Sequence, residues 1–247
     1  MISISSNLNI MVKAVEKASK SLIRDFGEVE KLQVTKKGPR DFVTKTDRNV
    51  EKILLEELKK TKKNYSFLSE EIGSINNKDS ENIWIIDPID GTTNFLHGIP
   101  HFAISIALRF NNEITSGLIF DPIKNEMFYA EKNNGAFFNN ERIRVSKKNE
   151  LSDCLFATGG KKYNSINEIS TRKSGCAALD LAYVASGRYD GYCQNNLNLW
   201  DIAAGLIILQ EAGGVINDID LNSHKNLNVI ASSPNINDKF IKKISNF

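Results

Sequence analysis

The sequence contains little of what stabilises secreted proteins or anchors membrane proteins. Of its 247 residues only three are cysteines, at positions 154, 176 and 193, without a CxxC spacing or a nearby histidine. This argues against a disulfide framework and a zinc site, and indicates a reducing compartment. No basic stretch followed by an apolar run opens the chain, and the longest apolar runs are too short or too polar to span a bilayer. We therefore expect a cytoplasmic protein without a membrane partner.

The chain also lacks a marked excess of positive or negative charge. The chain has 32 lysine and arginine residues against 30 aspartate and glutamate residues, a net charge of +2. Nothing in that balance calls for a nucleic acid as the main partner. Apolar residues make up 41% of the chain and charged residues 25%, which is typical of a soluble globular protein with a large core.

Hydrophobic spacing divides the chain into helices and strands. Helical periodicity predicts a first helix over residues 8–26 and a second from Thr46 or Asp47 through residue 58. Between them the basic stretch 35–40 contains a Gly-Pro pair and is predicted to be a loop. The further predicted strands are 65–68, 83–86, 102–108, 114–120, 127–130, 136–138, 154–157, 189–193 and 227–231, and the further predicted helices are 177–186, 201–212 and one from about 236.

No repeat, low-complexity tract or linker interrupts this order. The pattern predicts layered helices and sheets of the α+β or α/β class. We expect a single domain, 1–247, made of two closely packed halves, roughly 1–145 and 146–247.

Three acidic clusters lie at predicted strand ends or helix starts. They are Ser69-Glu70-Glu71, residues 84–94 (WIIDPIDGTTN) and residues 200–205 (WDIAAG). Taken singly, a Glu-Glu pair is most often solvated, and an aspartate at a helix start is most often a cap. Their joint occurrence in this order favours a functional site.

The middle cluster carries the most chemical information. A buried apolar strand delivers Asp87 to its carboxyl end, and Pro88 is predicted to force a turn there. Asp90 follows three residues later, so both carboxylates can point into one cavity with the Ile89 carbonyl between them. Such hard oxygen ligands suit Mg²⁺ far better than zinc.

The residues Gly91-Thr92-Thr93 would begin the next helical turn, whose free backbone N–H groups attract an anion. A metal cluster beside such a helix start is what hydrolysis of a phosphate ester requires, because metal ions neutralise phosphate charge and activate water. Asp-Pro followed by Asp-Gly is also a common turn sequence. The cluster alone therefore leaves a turn and a phosphatase site as even alternatives.

Together these motifs resemble those of the inositol monophosphatase family, within the lithium-sensitive, Mg²⁺-dependent phosphatases. The similar segments are 84–95 (WIIDPIDGTTNF), 200–205 (WDIAAG) with 211–214 (EAGG), the Glu70-Glu71 pair, 41–47 (DxVTxxD) and 175–185 (GxAALDLAYVA). The resemblance runs from about residue 36 to the C-terminus. It implies a bacterial inositol-1-monophosphatase-like enzyme with the layered α-β-α-β-α sandwich shared with fructose-1,6-bisphosphatase.

The resemblance also implies which residues bind metal. One Mg²⁺ would be held by Glu70, Asp87, the Ile89 carbonyl and Asp90. A second would be held by Asp87, Asp90 and Asp201, and a third, looser ion would touch Glu70.

The catalytic residues that the resemblance implies are Glu70, Asp47, Thr92 and Asp90. The Thr92 hydroxyl, paired with Asp47, would orient a metal-bound water for in-line attack. The phosphate would lie on the backbone of Gly91 and Thr92, and the leaving oxygen would be stabilised near Asp201. The basic stretch with Lys36 and Lys37 resembles the mobile loop that closes over the site in relatives.

Substrate recognition is where the chain departs from the family. The substrate-binding residues implied are Gly91, Thr92, Gly175, Cys176, Ala177, Gln194 and Asp201. Gln194 occupies a position where relatives have a glutamate. An amide donates as well as accepts hydrogen bonds and carries no charge, so either weaker inositol binding or better tolerance of an extra anionic group is expected, unless Gln194 is only a surface residue. The segment 158–172, at the substrate rim, is also shorter than in typical relatives.

The leading interpretation is a phosphomonoester hydrolase that uses two or three Mg²⁺ ions. It would act on inositol monophosphate or a similar small sugar or cyclitol phosphate. Alternatives with the same chemistry are a 3′(2′),5′-bisphosphate nucleotidase and a fructose-1,6-bisphosphatase. The alternative from another class is a protein that retains the fold but binds RNA or a transcription partner. A homodimer and sensitivity to lithium are the family expectations.

Overall fold

The structure, a computed structural model, describes residues 5–29, 34–38, 41–160 and 169–245. The helices of this part are α1 (Ser6–Phe26), α2 (Lys45–Thr61), α3 (Thr92–Leu96), α4 (Ala177–Ala185), α5 (Leu199–Glu211) and α6 (Asn237–Ile244). The strands are β1 (Val34–Gly38), β2 (Asp41–Thr44), β3 (Tyr65–Ser69), β4 (Gly73–Ile75), β5 (Asp79–Asp90), β6 (Ala103–Phe110), β7 (Glu113–Asp121), β8 (Glu126–Glu131), β9 (Gly135–Phe138), β10 (Glu141–Arg142), β11 (Leu155–Thr158), β12 (Ser170–Arg172), β13 (Gly191–Leu197), β14 (Val215–Ile216) and β15 (Leu227–Ser232).

Two amphipathic helices, α1 and α2, form the first layer. Helix α1 begins at the N-cap Ser5, whose hydroxyl oxygen accepts a hydrogen bond from the Leu8 amide at 3.2 Å. Its fully buried side chains, such as Met11 and Leu22, lie on one side, as the helical period requires. They pack with Leu54 and other residues of α2. Both helices predicted from the sequence are confirmed.

The second layer is an eight-stranded sheet in the order β10-β9-β8-β7-β6-β5-β3-β4. Only β3 and β5 pair in parallel, and the other neighbours are antiparallel. Side chains alternate across the sheet: Trp84 and Ile86 pack with α1 and α2, whereas Ile85 packs on the opposite side with α4 and α5. The buried apolar run at 83–86 thus serves two cores.

The remaining layers are α4 with α5, a five-stranded sheet and α6. The sheet order is β12-β11-β13-β15-β14. Along β13, Tyr192 packs against α4 and α5, whereas Cys193 packs on the other side with Phe240 of α6. The layers therefore run α-β-α-β-α, which confirms the predicted sandwich. The expected division into halves near residue 145 stays a prediction.

Two local predictions are wrong. Residues 35–38 of the predicted loop lie in β1, which pairs antiparallel with β2, placing Val34 opposite Thr44. The β-branched residues at 34, 35, 43 and 44 favour strands, so the Gly-Pro signal did not mark a loop over the whole stretch. The structure does not describe residues 39 and 40.

Pro88 does not turn the chain out of the sheet, because β5 continues to Asp90. Asp87 pairs with Ser105 and Asp90 with Ala103, so three steps on β5 oppose two on β6. This is a β-bulge, a place where a sheet tolerates a proline that lacks an N–H group. The predicted strands beyond residue 65 are otherwise confirmed, with ends that differ by up to four residues, whereas β4, β10, β12 and β14 were not predicted. No helix in the described ranges is both long and apolar enough to cross a membrane.

Candidate active site

The bulge in β5 determines how the two aspartates are placed. In a regular strand, residues three apart lie on opposite sides of the sheet. The extra residue of the bulge brings Asp87 and Asp90 to the same side of the sheet. Their partners on β6, Ser105 and Ala103, are two residues apart and therefore share a side. As a result Asp87 and Asp90 both line the same cavity. The Ile89 amide donates to Asp87 Oδ1 at 3.0 Å and stabilises the bulged backbone.

Glu70 reaches the cavity from the end of the neighbouring parallel strand β3. The turn that follows is held by Glu51 of α2, a buried carboxylate. Glu51 Oε1 accepts hydrogen bonds from the Glu71 and Ile72 amides, each at 3.2 Å, and from the Ser69 hydroxyl. Because these donors flank Glu70 on both sides, Glu51 acts as a positioning residue for it.

Asp201 enters from the opposite layer, in the first turn of α5. Its Oδ2 accepts a hydrogen bond from the Asn198 amide at 2.7 Å, which caps the helix. The sequence predicted an N-cap and a cavity residue as alternatives for Asp201. The structure makes Asn198 the N-cap and Asp201 the third helical residue, whose side chain completes a capping box, and it places Asp201 in the cavity as well.

The four carboxylates Glu70, Asp87, Asp90 and Asp201 line one cavity of about 630 Å³. Of the residues predicted from the sequence for metal, phosphate and substrate, those that line it are Glu70, Asp87, Ile89, Asp90, Gly91, Thr92, Gly175, Ala177, Gln194 and Asp201. Cys176 and Asp47 are not among the lining residues. Cys176 lies behind Asp90, and Asp47 is buried near enough to Glu70 and Asp87 to affect both electrostatically.

The carboxylates raise one another's pKa. Burial raises the pKa of Glu70 to about 9, and the negative charges of Asp201 and Asp47 add to the rise. Burial and the Glu70 carboxylate hold the pKa of Asp87 well above its usual range. Several buried carboxylates cannot ionise together without compensating positive charge. A bound cation would supply that charge.

The donor chemistry fits magnesium. The acidic side of the cavity offers carboxylate oxygens and the Ile89 carbonyl, and Mg²⁺ prefers hard oxygen ligands. Within the described ranges, no three acidic, histidine or cysteine side chains already surround one point as a closed ligand set. The carboxylates would have to close in on an ion.

Asp90 joins the end of β5 to the start of α4. Its Oδ2 accepts hydrogen bonds from the Ala178 amide at 2.6 Å and from the Cys176 thiol at 3.1 Å, both at the start of α4. Burial raises the pKa of Asp90 to about 6, and these donors limit the rise. Asp90 thus caps α4 while its side chain borders the cavity.

Helix α3 begins beside the carboxylates at Gly91. This residue has φ of 94°, and a Cβ there would lie 3.0 Å from the His101 carbonyl oxygen, so only glycine fits. The first-turn amides of α3 have no intrahelical acceptor and are available to an anion. The Thr92 hydroxyl donates to the Ile89 carbonyl at 2.9 Å. Its pairing with Asp47 stays a prediction.

Asn94 of α3 connects this site to the start of α4. Its buried amide donates to the His101 carbonyl at 2.8 Å and to the Ser174 carbonyl at 2.9 Å. Sequence reasoning assigned no role to Asn94 or to Glu51. An acidic residue between Val50 and Leu54 on the apolar side of α2 was a signal for Glu51, whereas the partners of Asn94 lie too far along the chain to be read from a pattern.

The sequence matches the model of a known family, described as the inositol monophosphatase family, over residues 4–247. The chain belongs to the inositol monophosphatase family. Members of this family are phosphomonoester hydrolases, so the predicted family and enzyme class are confirmed.

Similar proteins support the family assignment over nearly the whole length of the chain. It is 48% identical over 230 residues to the inositol-1-monophosphatase of Rhizobium meliloti, which covers 87% of this chain and 86% of the relative. It is 38% identical over 253 residues to a protein of Haemophilus influenzae named Nus factor SuhB, covering 96% and 95%. The crystal structure of the extragenic suppressor protein SuhB from Bartonella henselae superposes with a TM-score of 0.92 at 44% identity, covering 97% and 98%.

Proposed function

We propose that the protein is a magnesium-dependent phosphatase that acts on inositol monophosphate or a similar small sugar or cyclitol phosphate. One observation carries the proposal: Glu70, Asp87, Asp90 and Asp201 meet in one cavity beside the first turn of α3. The similarity to the inositol-1-monophosphatase of Rhizobium meliloti supports inositol 1-phosphate as the first substrate to test.

The ligands would be divided between two ions as in the family. Glu70, Asp87, the Ile89 carbonyl and Asp90 would hold one, and Asp87, Asp90 and Asp201 the second, with room for a third beside Glu70. When bound, magnesium would neutralise the phosphoryl charge and activate water for attack. The raised pKa values of Glu70 and Asp87 support the assignment, because a cation would relieve the repulsion behind them.

The remaining residues of the site would bind and orient the phosphate. The backbone amides of Gly91 and Thr92 would donate to its oxygens, as helix starts do. The Thr92 hydroxyl, which donates to the Ile89 carbonyl in the structure, would turn to pair with Asp47 and orient the attacking water. Asp201, on the opposite side, would lie near the leaving oxygen.

A second candidate function is a role in transcription. The Nus factor SuhB of Haemophilus influenzae matches this chain as completely as the phosphatase relatives do. That name supports a binding function in addition to catalysis and does not replace it, because every ligand of the metal set is present here. Fluorescence anisotropy with a labelled single-stranded RNA would test this role, and absence of binding at micromolar protein would remove it.

We also propose that the protein is a lithium-sensitive homodimer of the cytoplasm. The family assignment supports the dimer and the lithium sensitivity. The three cysteines, all buried in the described part of the chain and none in a disulfide, support a reducing compartment. Light scattering after gel filtration would test the dimer, and inhibition by Li⁺ at fixed Mg²⁺ would test the lithium site.

The experiment that tests the main proposal is phosphate release with and without Mg²⁺. The panel holds inositol 1-phosphate, glycerol 2-phosphate, adenosine 3′,5′-bisphosphate, fructose 1,6-bisphosphate and NADP, so it also separates the nucleotidase and fructose-1,6-bisphosphatase alternatives. We expect magnesium-dependent release that is fastest with a sugar or cyclitol phosphate. A folded protein that binds Mg²⁺ but releases phosphate from none of them would contradict the proposal.

A further inference from the structure

The cavity has a second wall whose polar side chains are mainly amides. It is formed by the end of β11, the segment before α4 and the end of β13, and it meets Asp201, which accepts a hydrogen bond from the Asn198 backbone amide. The polar side chains that β13 and the residue after it contribute there are the amides Gln194, Asn195, Asn196 and Asn198, and Lys173 lines the same cavity. We call these five residues the amide wall.

Gln194 is held in one orientation by Tyr192, its neighbour on the same side of β13. The fully buried Tyr192 hydroxyl donates to Gln194 Oε1 at 2.9 Å. A phenol carries its proton at neutral pH and has one hydrogen to donate. The carbonyl oxygen of Gln194 is thus engaged, and no hydrogen bond from its NH₂ group to a described residue is present. The NH₂ group, a donor, remains for a ligand.

The neighbouring glycines leave room for this arrangement. A Cβ at Gly159 would lie 1.6 Å from Gln194 Oε1, and one at Gly160 would lie 2.2 Å from Asn195 Oδ1. Both distances are far below van der Waals contact. Residues with side chains at 159 and 160 would displace the two amides, so β11 and the turn after it are shaped around them.

Asn195 offers the complementary group. Its Oδ1 is buried and has no hydrogen-bond partner in the part of the chain that the structure describes. A buried acceptor without a partner is costly unless a ligand supplies a donor. A hydroxyl group of a bound substrate would satisfy it once the Asn195 side chain turns toward the cavity that this residue lines.

On the basis of the proposed function, we propose that the amide wall makes the protein prefer, among small sugar and cyclitol phosphates and related polyol phosphates, those whose alcohol part carries a second anionic group together with free hydroxyl groups. The anion, a carboxylate or a second phosphate, is recognised by the Gln194 NH₂ group and by the positive charge of Lys173. A hydroxyl group binds Asn195. Gln194 is a specificity-determining residue in this scheme.

A glutamate at position 194 would act in the opposite way. Its carboxylate would also accept the Tyr192 hydroxyl, but it would present a negative charge and an acceptor where Gln194 presents a neutral donor. An uncharged polyol would then bind well and an anionic group would be repelled. Replacing the carboxylate with an amide therefore reverses which substrates are preferred, those with an uncharged polyol group or those with a second anionic group.

The test uses two pairs of substrates that differ only in the second anion. The carboxylate arm compares 3-phosphoglycerate with glycerol 3-phosphate, and the phosphate arm compares fructose 1,6-bisphosphate with fructose 1-phosphate. For the unaltered protein we expect kcat/KM to favour the doubly anionic member of at least one pair by about tenfold, because a charge-assisted hydrogen bond is gained. The arm that shows the preference identifies the anion.

Three variants separate the contribution of Gln194 from general charge effects. Gln194→Glu should lower the preference at least about tenfold, and Tyr192→Phe, which frees the amide to rotate, should lower it less. Gln210→Glu makes the same change at an exposed position of α5, outside the cavity, and should leave the preference unchanged. Equal preferences in Gln194→Glu and the unaltered protein, with both folded, would overturn the proposal.

Equilibrium binding of the same compounds, measured by calorimetry, separates this inference from the proposed function. A protein that hydrolyses no member of the pairs but still binds 3-phosphoglycerate or fructose 1,6-bisphosphate more tightly, in a Gln194-dependent way, would refute the phosphatase proposal and support the amide wall. If the protein binds both members of each pair equally well, the proposed role of the amide wall is overturned, whether or not the protein hydrolyses them.

Discussion

The two walls of the cavity differ in chemistry and in how they are built. The acidic wall comes mainly from the eight-stranded sheet, where a bulge and a parallel strand end bring buried carboxylates together. The amide wall comes from the five-stranded sheet and carries neutral donors and acceptors with one lysine. The acidic wall is strongly perturbed electrostatically, with the pKa of Glu70 raised to about 9. The amide wall is defined by shape and hydrogen-bond direction.

This difference indicates a division of work. Phosphoryl chemistry needs positive charge held by carboxylates, and that requirement is the same for every phosphate ester. Recognition of the alcohol part depends on hydrogen bonds that differ between substrates. Changes in the acidic wall should therefore affect all substrates alike, whereas changes in the amide wall should affect them unequally.

The largest effect is expected from breaking the acidic wall with Asp90→Asn. The amide oxygen of asparagine can still accept from the Ala178 N–H group, now at 2.6 Å from Asp90, so α4 stays capped. One negative charge of the metal set is lost. Since even groups that only support metal ligands are worth about 10–100-fold, we expect kcat/KM to fall by more than about a hundredfold for every substrate.

The matched control for this variant is Asp218→Asn, an exposed aspartate far from the cavity. It should keep full activity. Circular dichroism and thermal unfolding would show that both variants are folded. Full activity of Asp90→Asn would contradict the metal assignment.

The second prediction breaks the connection that Asn94 makes between α3 and the segment before α4. Asn94→Asp removes both hydrogens that bind the His101 and Ser174 carbonyls and puts a carboxylate against two carbonyl oxygens. We expect the free energy of unfolding to fall by about 3 kcal/mol. Urea denaturation would measure the change, with the exposed Asn64→Asp as control. A loss below about 0.5 kcal/mol would show that this connection is not needed.

A smaller effect is expected when the support of the acidic wall is loosened with Glu51→Gln. The variant keeps one oxygen acceptor for the Glu71 and Ile72 amides but loses the charge that strengthens these bonds. We expect activity at low Mg²⁺ to fall about tenfold and to recover at high Mg²⁺. Titration of activity against Mg²⁺ would show this, with Glu56→Gln on the exposed side of α2 as control. A purely structural role would lower stability without moving the Mg²⁺ dependence.

The smallest expected effect is on how stability depends on pH, through His101, which lies outside both walls. Burial and the nearby Lys124 charge lower the pKa of His101, while Asp121 and Glu126 oppose them in part. The unfolded chain then takes up a proton before the folded one, so this residue stabilises the fold fully above about pH 6.5 and less as the pH falls. Unfolding of the His101→Gln variant should show a weaker loss of stability between pH 7 and pH 5.5. An identical pH dependence of the two proteins would contradict the assignment.

Much of the fold could be predicted because its elements have clear patterns. The helical period of α1 and α2 and the apolar runs of β5 and β6 appear directly in the sequence. The short strands β4, β12 and β14 have two or three residues each and no pattern to detect. The bulge at Pro88 could not be distinguished from a turn, because its geometry depends on pairing with β6.

The acidic residues of the site were predictable, but their supports were not. Asp87 and Asp90 lie in a specific motif, and the structure brings them into one cavity with Glu70 and Asp201. The orientation of Gln194 depends on the buried Tyr192 hydroxyl and on space beside Gly159. Such contacts follow from packing between elements, which a single sequence does not display.

The most direct test of the central claim is to locate the metal. Crystals grown with Mn²⁺ in place of Mg²⁺ would give anomalous difference peaks at bound ions. We predict at least one strong peak between Glu70, Asp87 and Asp90, with a second toward Asp201. Saturating Mn²⁺ with no peak in the cavity, or with peaks only elsewhere, would contradict the account.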